Sequence, residues 1–138
     1  MQDVPETVSL ESAPEVTAPD GSAVRPLCAL TGLGSFAQFR LEAGETARAV
    51  SHATVAEIWY VTGGRGQMWR RQEGREPATV ELRPGICLTI PARTAFQFRA
   101  AGTGGPLTVV AVTMPPWPAG GEPEARPEEG PWAPALRR

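Results

Sequence analysis

From about residue 24 to residue 114, apolar and polar residues alternate with a period of two, in short runs punctuated by Gly and Pro. That period places successive side chains on opposite faces of an extended chain, so each run predicts a half-buried strand. The predicted strands are 24–30, 36–41, 47–52, 57–62, 67–71, 78–82, 86–90, 95–99 and 107–114. In 36–41, Ala37, Phe39 and Leu41 share one face, and Gln38 and Arg40 the other. The stretch EIWYVT at 57–62 is β-branched and aromatic, which suits a pleated surface. No stretch carries helical periodicity. Many strands at roughly ten-residue spacing predict an all-β, antiparallel sandwich or small barrel.

The ends differ from this middle. Residues 1–22 are acidic and proline-broken, and predict a flexible N-terminal arm with a possible edge strand at 7–10. Residues 23–115 form the predicted barrel. Residues 116–138 are a Pro/Gly-rich C-terminal tail. Its composition is that of a disordered segment, yet Trp117 and Trp132 would each gain about 1.5–3 kcal/mol by burial. Disorder and docking onto the barrel therefore both stay open. The Glu and Arg residues between Glu122 and Glu129 read as a solvated run.

Charge narrows the function classes. The net charge of −2 gives no electrostatic basis for nucleic-acid binding. All thirteen basic residues are Arg, so lysine Schiff-base chemistry is excluded. The start of the chain lacks the basic and apolar regions of a secretory signal, and no apolar run is long enough to span a bilayer. A cytoplasmic location follows as the expectation. Cys28 and Cys87 lie in strand-like runs and read as buried free thiols.

Candidate chemistry converges on one stretch, Gly44 to Gly66, which holds the only histidine, His52, and Glu57 five residues on. Imidazole is the one side chain whose ordinary pKa lies near neutrality, so proton or metal chemistry should pass through it. Gly63-Gly64-Arg65-Gly66 lies between two strands without a helix to follow, which predicts a hairpin turn rather than a phosphate loop. Trp69-Arg70-Arg71 reads as an outer strand face.

The spacing of that stretch resembles the cupin superfamily. The first cupin motif is glycine, five residues, His-any-His, three or four residues, Glu, six residues, glycine. Gly44, Val50-Ser51-His52, Glu57 and Gly64 keep it. In the second motif Gly85 and Pro91 match, while the later glycine, His and Asn positions fall on Arg93, Phe96 and Ala100. The resemblance implies an antiparallel cupin-type jelly-roll β-barrel with irregular N- and C-terminal arms, and a homodimer with the N-terminal arm as a plausible exchanged strand. It also implies a metal site of three His and one Glu. Here two of those four positions carry Val50 and Phe96, which cannot coordinate, leaving His52 and Glu57 as the only matching ligands. No cofactor is therefore expected. If a metal bound, it would be at His52 and Glu57, with the Cys87 thiolate the one further donor on a neighbouring strand.

Strand parity then sketches a pocket. If His52 points inward, Val50 and Arg48 follow; if Glu57 does, Trp59 and Val61 follow; Phe96 and Phe98 go together. Arg48 or Gln38 are alternatives to His52 as partners for the Glu57 carboxylate. The expected pocket is thus Gln38, Arg48, Val50, Trp59, Phe96 and Phe98 around a catalytic His52 and Glu57. It suits a small, partly apolar organic ligand and metal-free isomerase, epimerase, dehydratase or cyclase chemistry. In that chemistry His52 acts as acid or base and Glu57 orients it. A non-catalytic binding or sensing module and a metal-dependent dioxygenase or isomerase are the other readings. His52 could also simply brace two strands, and Phe96 and Phe98 could fill the barrel.

Overall fold

The computed structural model of the chain describes residues 2–117 and 124–137. Residues 118–123, inside the expected tail and including Glu122, lie outside them. Eleven strands form among the described residues: β1 (Val16–Thr17), β2 (Ala23–Leu30), β3 (Gly34–Leu41), β4 (Val50–His52), β5 (Ala56–Gly63), β6 (Gly66–Arg71), β7 (Ala78–Leu82), β8 (Cys87–Ile90), β9 (Ala95–Ala100), β10 (Leu107–Met114) and β11 (Ala125–Pro127). They make two sheets, ordered β1-β2-β3-β10-β5-β8 and β11-β4-β9-β6-β7, with every pairing antiparallel. The two sheets enclose one core, giving the expected jelly-roll barrel. No described helix is long and apolar enough to cross a membrane.

Alternation sets which residues fill that core. On β5, Glu57, Trp59 and Val61 are buried while Ile58 and Tyr60 are exposed. On β3 the inward row is Ala37, Phe39 and Leu41, and on β10 it is Leu107, Val109 and Ala111. Phe39 stacks on Trp59, and Phe98 meets the Trp59 ring edge-on with centroids 4.9 Å apart. The barrel is thus filled with rings at its centre. Leu30, Phe36, Ile58, Tyr60 and Met114 stay exposed on the outer side of the larger sheet. This is the face that the homodimer expectation would need to cover.

Several expectations are corrected. The strand expected at 47–52 begins only at Val50; residues 47–49 are irregular, so strand parity does not extend to Arg48. Residues 7–10 form no strand; a 3₁₀ turn spans Leu10–Ser12 and the edge strand is Val16–Thr17. The arm is held against β2 through Asp3, whose carboxylate accepts from Thr31, and Glu6, which accepts from the Ala29 N–H. Cys28 and Cys87 are free, but Cys28 is half-buried and Cys87 exposed. The described part of the tail docks: β11 pairs with β4, and the Trp132 ring lies under the Arg99 guanidinium, 4.0 Å away. Trp117 packs against the core. Gln97, which faces outward on β9, is buried because it exchanges hydrogen bonds with the Trp132 backbone. Glu128 is not merely solvated, since it accepts from Ser51 and pairs with Arg71.

The turn joining β5 to β6 tests this packing. Gly64 has φ 77, and a Cβ there would collide with the Pro106 carbonyl; Gly74 has φ 78 with nothing within 4 Å. Both positions favour glycine, but only one is also crowded. Gly74→Ala is therefore expected to cost about 1 kcal/mol of stability and Gly64→Ala roughly 3 kcal/mol or more. Urea unfolding of the two variants checks this; equal losses would contradict the packing of that turn.

Candidate functional site

The link between β4 and β5 crosses from the smaller sheet to the larger one, and it brings the two sheets' polar groups face to face. β4 is short and pairs with β9 through Val50 and Phe96. That register leaves His52 at the end of the strand, its ring 5.9 Å from Phe96 and near parallel to it. Glu57 enters from β5. His52 Nε2 lies 3.4 Å from Glu57 Oε2, with both side chains buried. The backbone around them is pinned as well. The Arg93 N–H donates to the His52 carbonyl at 2.7 Å. Arg93 itself adopts φ 64, the left-handed conformation that the second motif normally gives to glycine.

The small cavity beside the pair is lined by Asp20, Phe39, Val50, Trp59, Phe96 and Trp117, among others, and its free volume is about 20 Å³. That is room for one water molecule. The larger surface hollow, about 660 Å³, runs along β2, β3 and β10 under residues 3–6; its carboxylates, Asp3 and Glu6, are engaged by Thr31 and the Ala29 N–H. It is lined mostly by hydrocarbon and is remote from the chemistry.

Of the residues expected from sequence, His52, Glu57, Val50, Trp59 and Phe96 come together. Phe98 lies one layer deeper, against Trp59. Gln38 is elsewhere: it faces out beside Arg25 and Arg40, as its parity on β3 requires. Arg48 is exposed, and its N–H bonds the Asp20 carbonyl. Among the described residues neither forms a hydrogen bond or ion pair with Glu57. The nearby acidic groups come instead from the two arms. Asp20, buried, accepts from the N–H and hydroxyl of Ser22 and lines the cavity. Glu124, just before β11, accepts from Thr54 N–H, Thr54 hydroxyl and Val55 N–H. Its Oε2 lies 3.9 Å from His52 Nδ1. The only signal for either in the sequence was an Asp-Gly turn and one Glu among several in a proline-rich run.

Burial decides the charge state. At 3.4 Å the geometry admits an ion pair, but taking two charges out of water costs more than such a loose contact returns. Desolvation pushes the Glu57 carboxyl up to about 7, a hydrogen bond from the Trp59 indole opposes this, and the Asp20 charge adds to it. Desolvation holds His52 below its ordinary value, against the pull of Glu124. The uncharged pair is thus favoured below about pH 7 and above the depressed His52 value. Trp59 Nε1 donates to Glu57 Oε1 at 2.8 Å. That oxygen is committed as an acceptor, so in the protonated carboxyl the proton belongs on Oε2, the oxygen facing His52 Nε2. His52 Nδ1 is buried without a hydrogen-bond partner, a state that costs about 1–3 kcal/mol.

The donor set does not suit a resident metal. Val50 and Phe96 occupy two expected ligand positions and wall the cavity with hydrocarbon. Glu57 and Glu124 approach opposite nitrogens of one imidazole, so they cannot converge on one ion. Cys87 pairs with Tyr60 and is exposed on the outer side, away from the pair. Among the described residues no group of three or more His, Cys, Asp or Glu side chains could hold a metal ion.

Comparison with known proteins agrees with this architecture. A family model described as "Cupin domain" matches residues 37–113. No curated protein matches the sequence. Among solved structures, a Streptomyces Pac13 variant with uridine aligns at TM-score 0.67 and 15% identity over 91% of this chain and 92% of that one. KdgF from Halomonas sp. aligns at 0.65 and 16% identity, over 81% and 94%. The capsular polysaccharide assembling protein CapF from Staphylococcus aureus aligns at 0.72 and 13%, over 86% of this chain and 34% of that one. At these identities the likeness is one of fold.

The charge state has a measurable consequence. Glu57 is protonated in both folded and unfolded chains below pH 4.5; between 4.5 and about 7 only the folded chain keeps the proton. Its contribution to stability is therefore full at low pH and lost as pH rises through about 7. His52, being depressed, acts oppositely: its contribution is present above 6.5 and lost as pH falls through its folded value. Glu57→Gln removes the first effect and keeps the second. The stability of that variant relative to wild type should rise between pH 4.5 and 7, by roughly 3 kcal/mol at most. Urea titrations across this range check it; a pH-independent difference would mean that Glu57 ionises normally.

Proposed function

This chain belongs to the cupin domain family, and on that premise we propose that its barrel is a metal-free acid–base site for a small, partly apolar organic molecule. The observation that carries the proposal is the buried His52–Glu57 contact walled by Trp59, Phe39 and Phe96. Glu57 is the acid: its proton lies on Oε2. His52 is the base: Nε2 presents a lone pair toward the same space. A group of each kind, side by side, acts on two neighbouring atoms of one substrate. Nε2 takes a proton from carbon as Glu57 gives one to a departing hydroxyl, which leaves as water. His52 then carries the extra proton and Glu57 the negative charge. Transfer back across the 3.4 Å gap resets the pair with no net change. Dehydration or isomerisation of a hydroxylated substrate fits this pair, with aromatic walls for a flat or apolar body. A similar fold described as that of a nucleoside dehydratase supports this class.

One observation favours the non-catalytic reading, a ligand-binding or sensing module. The free volume of about 20 Å³ admits no organic molecule unless Trp117 or residues 18–20, which line it, move aside. Catalysis and mere binding both require that opening, and they separate on turnover.

A thermal-shift screen with uridine, other nucleosides and small hydroxy acids, followed by NMR of the same mixtures, tests the proposal. At least one compound is expected to raise Tm in a concentration-dependent way. His52→Ala should abolish its conversion, and Glu57→Gln should slow it by about 10²-fold or more. Conversion undiminished in His52→Ala would overturn the mechanism. Binding without conversion in wild type would favour the sensing module, and no shift with any compound would count against both.

A further inference from the structure

We propose that Glu124, returned to the barrel by the C-terminal segment, is the positioning residue of His52: its carboxylate holds the imidazole in the Nδ1–H form and turns bare Nε2 toward Glu57. The chemical use of that form rests on the function proposed above; the placement rests on geometry alone.

Three observations converge. The first is that Glu124 is built in rather than draped. β11 pairs with β4 so that Ala125 stands opposite His52, and the Glu124 carbonyl accepts from the Ala53 N–H. Its carboxylate is fixed by the three donors at Thr54 and Val55, with distances of 2.6–2.9 Å. Burial would raise its pKa, but these hydrogen bonds and His52 outweigh that and lower it, so the group is anionic. The second is position. The anion faces Nδ1 at 3.9 Å, while the other nitrogen faces a carboxyl that keeps its own proton on the near oxygen. A proton on Nδ1 lies beside a negative charge; a proton on Nε2 would confront the Glu57 hydroxyl. Both sides of the ring select the same tautomer.

The third observation is the unpartnered Nδ1. It is buried, and no other group bonds it. At 3.9 Å the Glu124 contact is electrostatic, too long for a direct hydrogen bond. Oε2, the nearer oxygen, already accepts from the Thr54 and Val55 N–H groups, while Oε1 accepts only from the Thr54 hydroxyl, so the open acceptor site of the carboxylate is on Oε1. A bridging water, or a turn of the carboxylate that brings Oε1 toward the ring, would connect Nδ1–H to that site. The other acidic groups at this site do not compete for Nδ1. Glu57 is on the opposite nitrogen, and Asp20 is engaged by Ser22. Arg93 meets His52 through its backbone N–H.

The single histidine makes the test direct. In the full chain labelled with ¹⁵N-histidine, the nitrogen shifts report one ring only. Wild type is expected to show Nδ1 protonated and Nε2 bare near neutral pH. Glu124→Gln keeps an oxygen for Thr54 and Val55 but removes the charge. It should move the tautomer balance toward Nε2–H and lower the His52 titration midpoint, since the Glu124 charge is what raises it. Glu124→Asp should lie between the two. Backbone amide spectra show whether each variant keeps its fold, and Glu124→Asp carries the test if Glu124→Gln does not. A folded variant without the charge but with wild-type His52 tautomer and midpoint would overturn the assignment and reduce Glu124 to a brace for the 53–55 loop. That outcome is separable from failure of the functional proposal. A protein that converts no compound yet shows the expected His52 response keeps this assignment and loses only the reaction.

Discussion

A carboxyl group set between two sheets in a hydrocarbon interior has few stable options. It must bind an ion, pair tightly with a cation, or keep its proton. In this barrel Glu57 does the last. Among the described residues no Arg pairs with it, and His52 is itself disfavoured as a cation. Much of the site follows from that. The indole of Trp59 fixes one carboxyl oxygen, the proton goes to the other, and the imidazole meets it as a neutral base. In the proposed function, the same burial that makes Glu57 costly to ionise is what suits it to act as an acid near neutrality.

The two arms supply what the barrel strands lack. Asp20 from the N-terminal arm adds negative charge on the Glu57 side, and Glu124 from the C-terminal segment adds it on the far side of His52. Trp117 and residues 18–20 line the cavity beside the pair. These segments are thus part of the cup. The two acidic groups work in opposite senses on the pair: one favours the proton on Glu57, the other favours a proton on His52. The barrel wall holds the rings, and the arms set the electrostatics.

Much of this was legible in the sequence because period-two alternation is a strong signal. The inward rows at Glu57, Trp59 and Val61 and at Phe96 and Phe98 follow from it directly, as does the outward Tyr60. Where strand geometry fails, the inference fails with it. Arg48 was placed in the cavity by extending the parity of β4 through residues 47–49, which are not strand. Gln38 as a partner for Glu57 runs against its own parity, and β3 keeps it outside. Glu124 and β11 were illegible for another reason. Their docking depends on backbone pairing and on loop amides at Thr54 and Val55, which leave no pattern in composition. A proline- and glutamate-rich segment reads the same whether it is solvated or strapped to a sheet edge.

The most direct measurement is the location of the protons themselves. A neutron structure of perdeuterated crystals grown below the raised Glu57 pKa of about 7 and above the depressed His52 value would display them. Deuterium is expected on Glu57 Oε2 and on His52 Nδ1, with His52 Nε2 bare. Deuterium on both imidazole nitrogens beside a bare Glu57 carboxylate would contradict it.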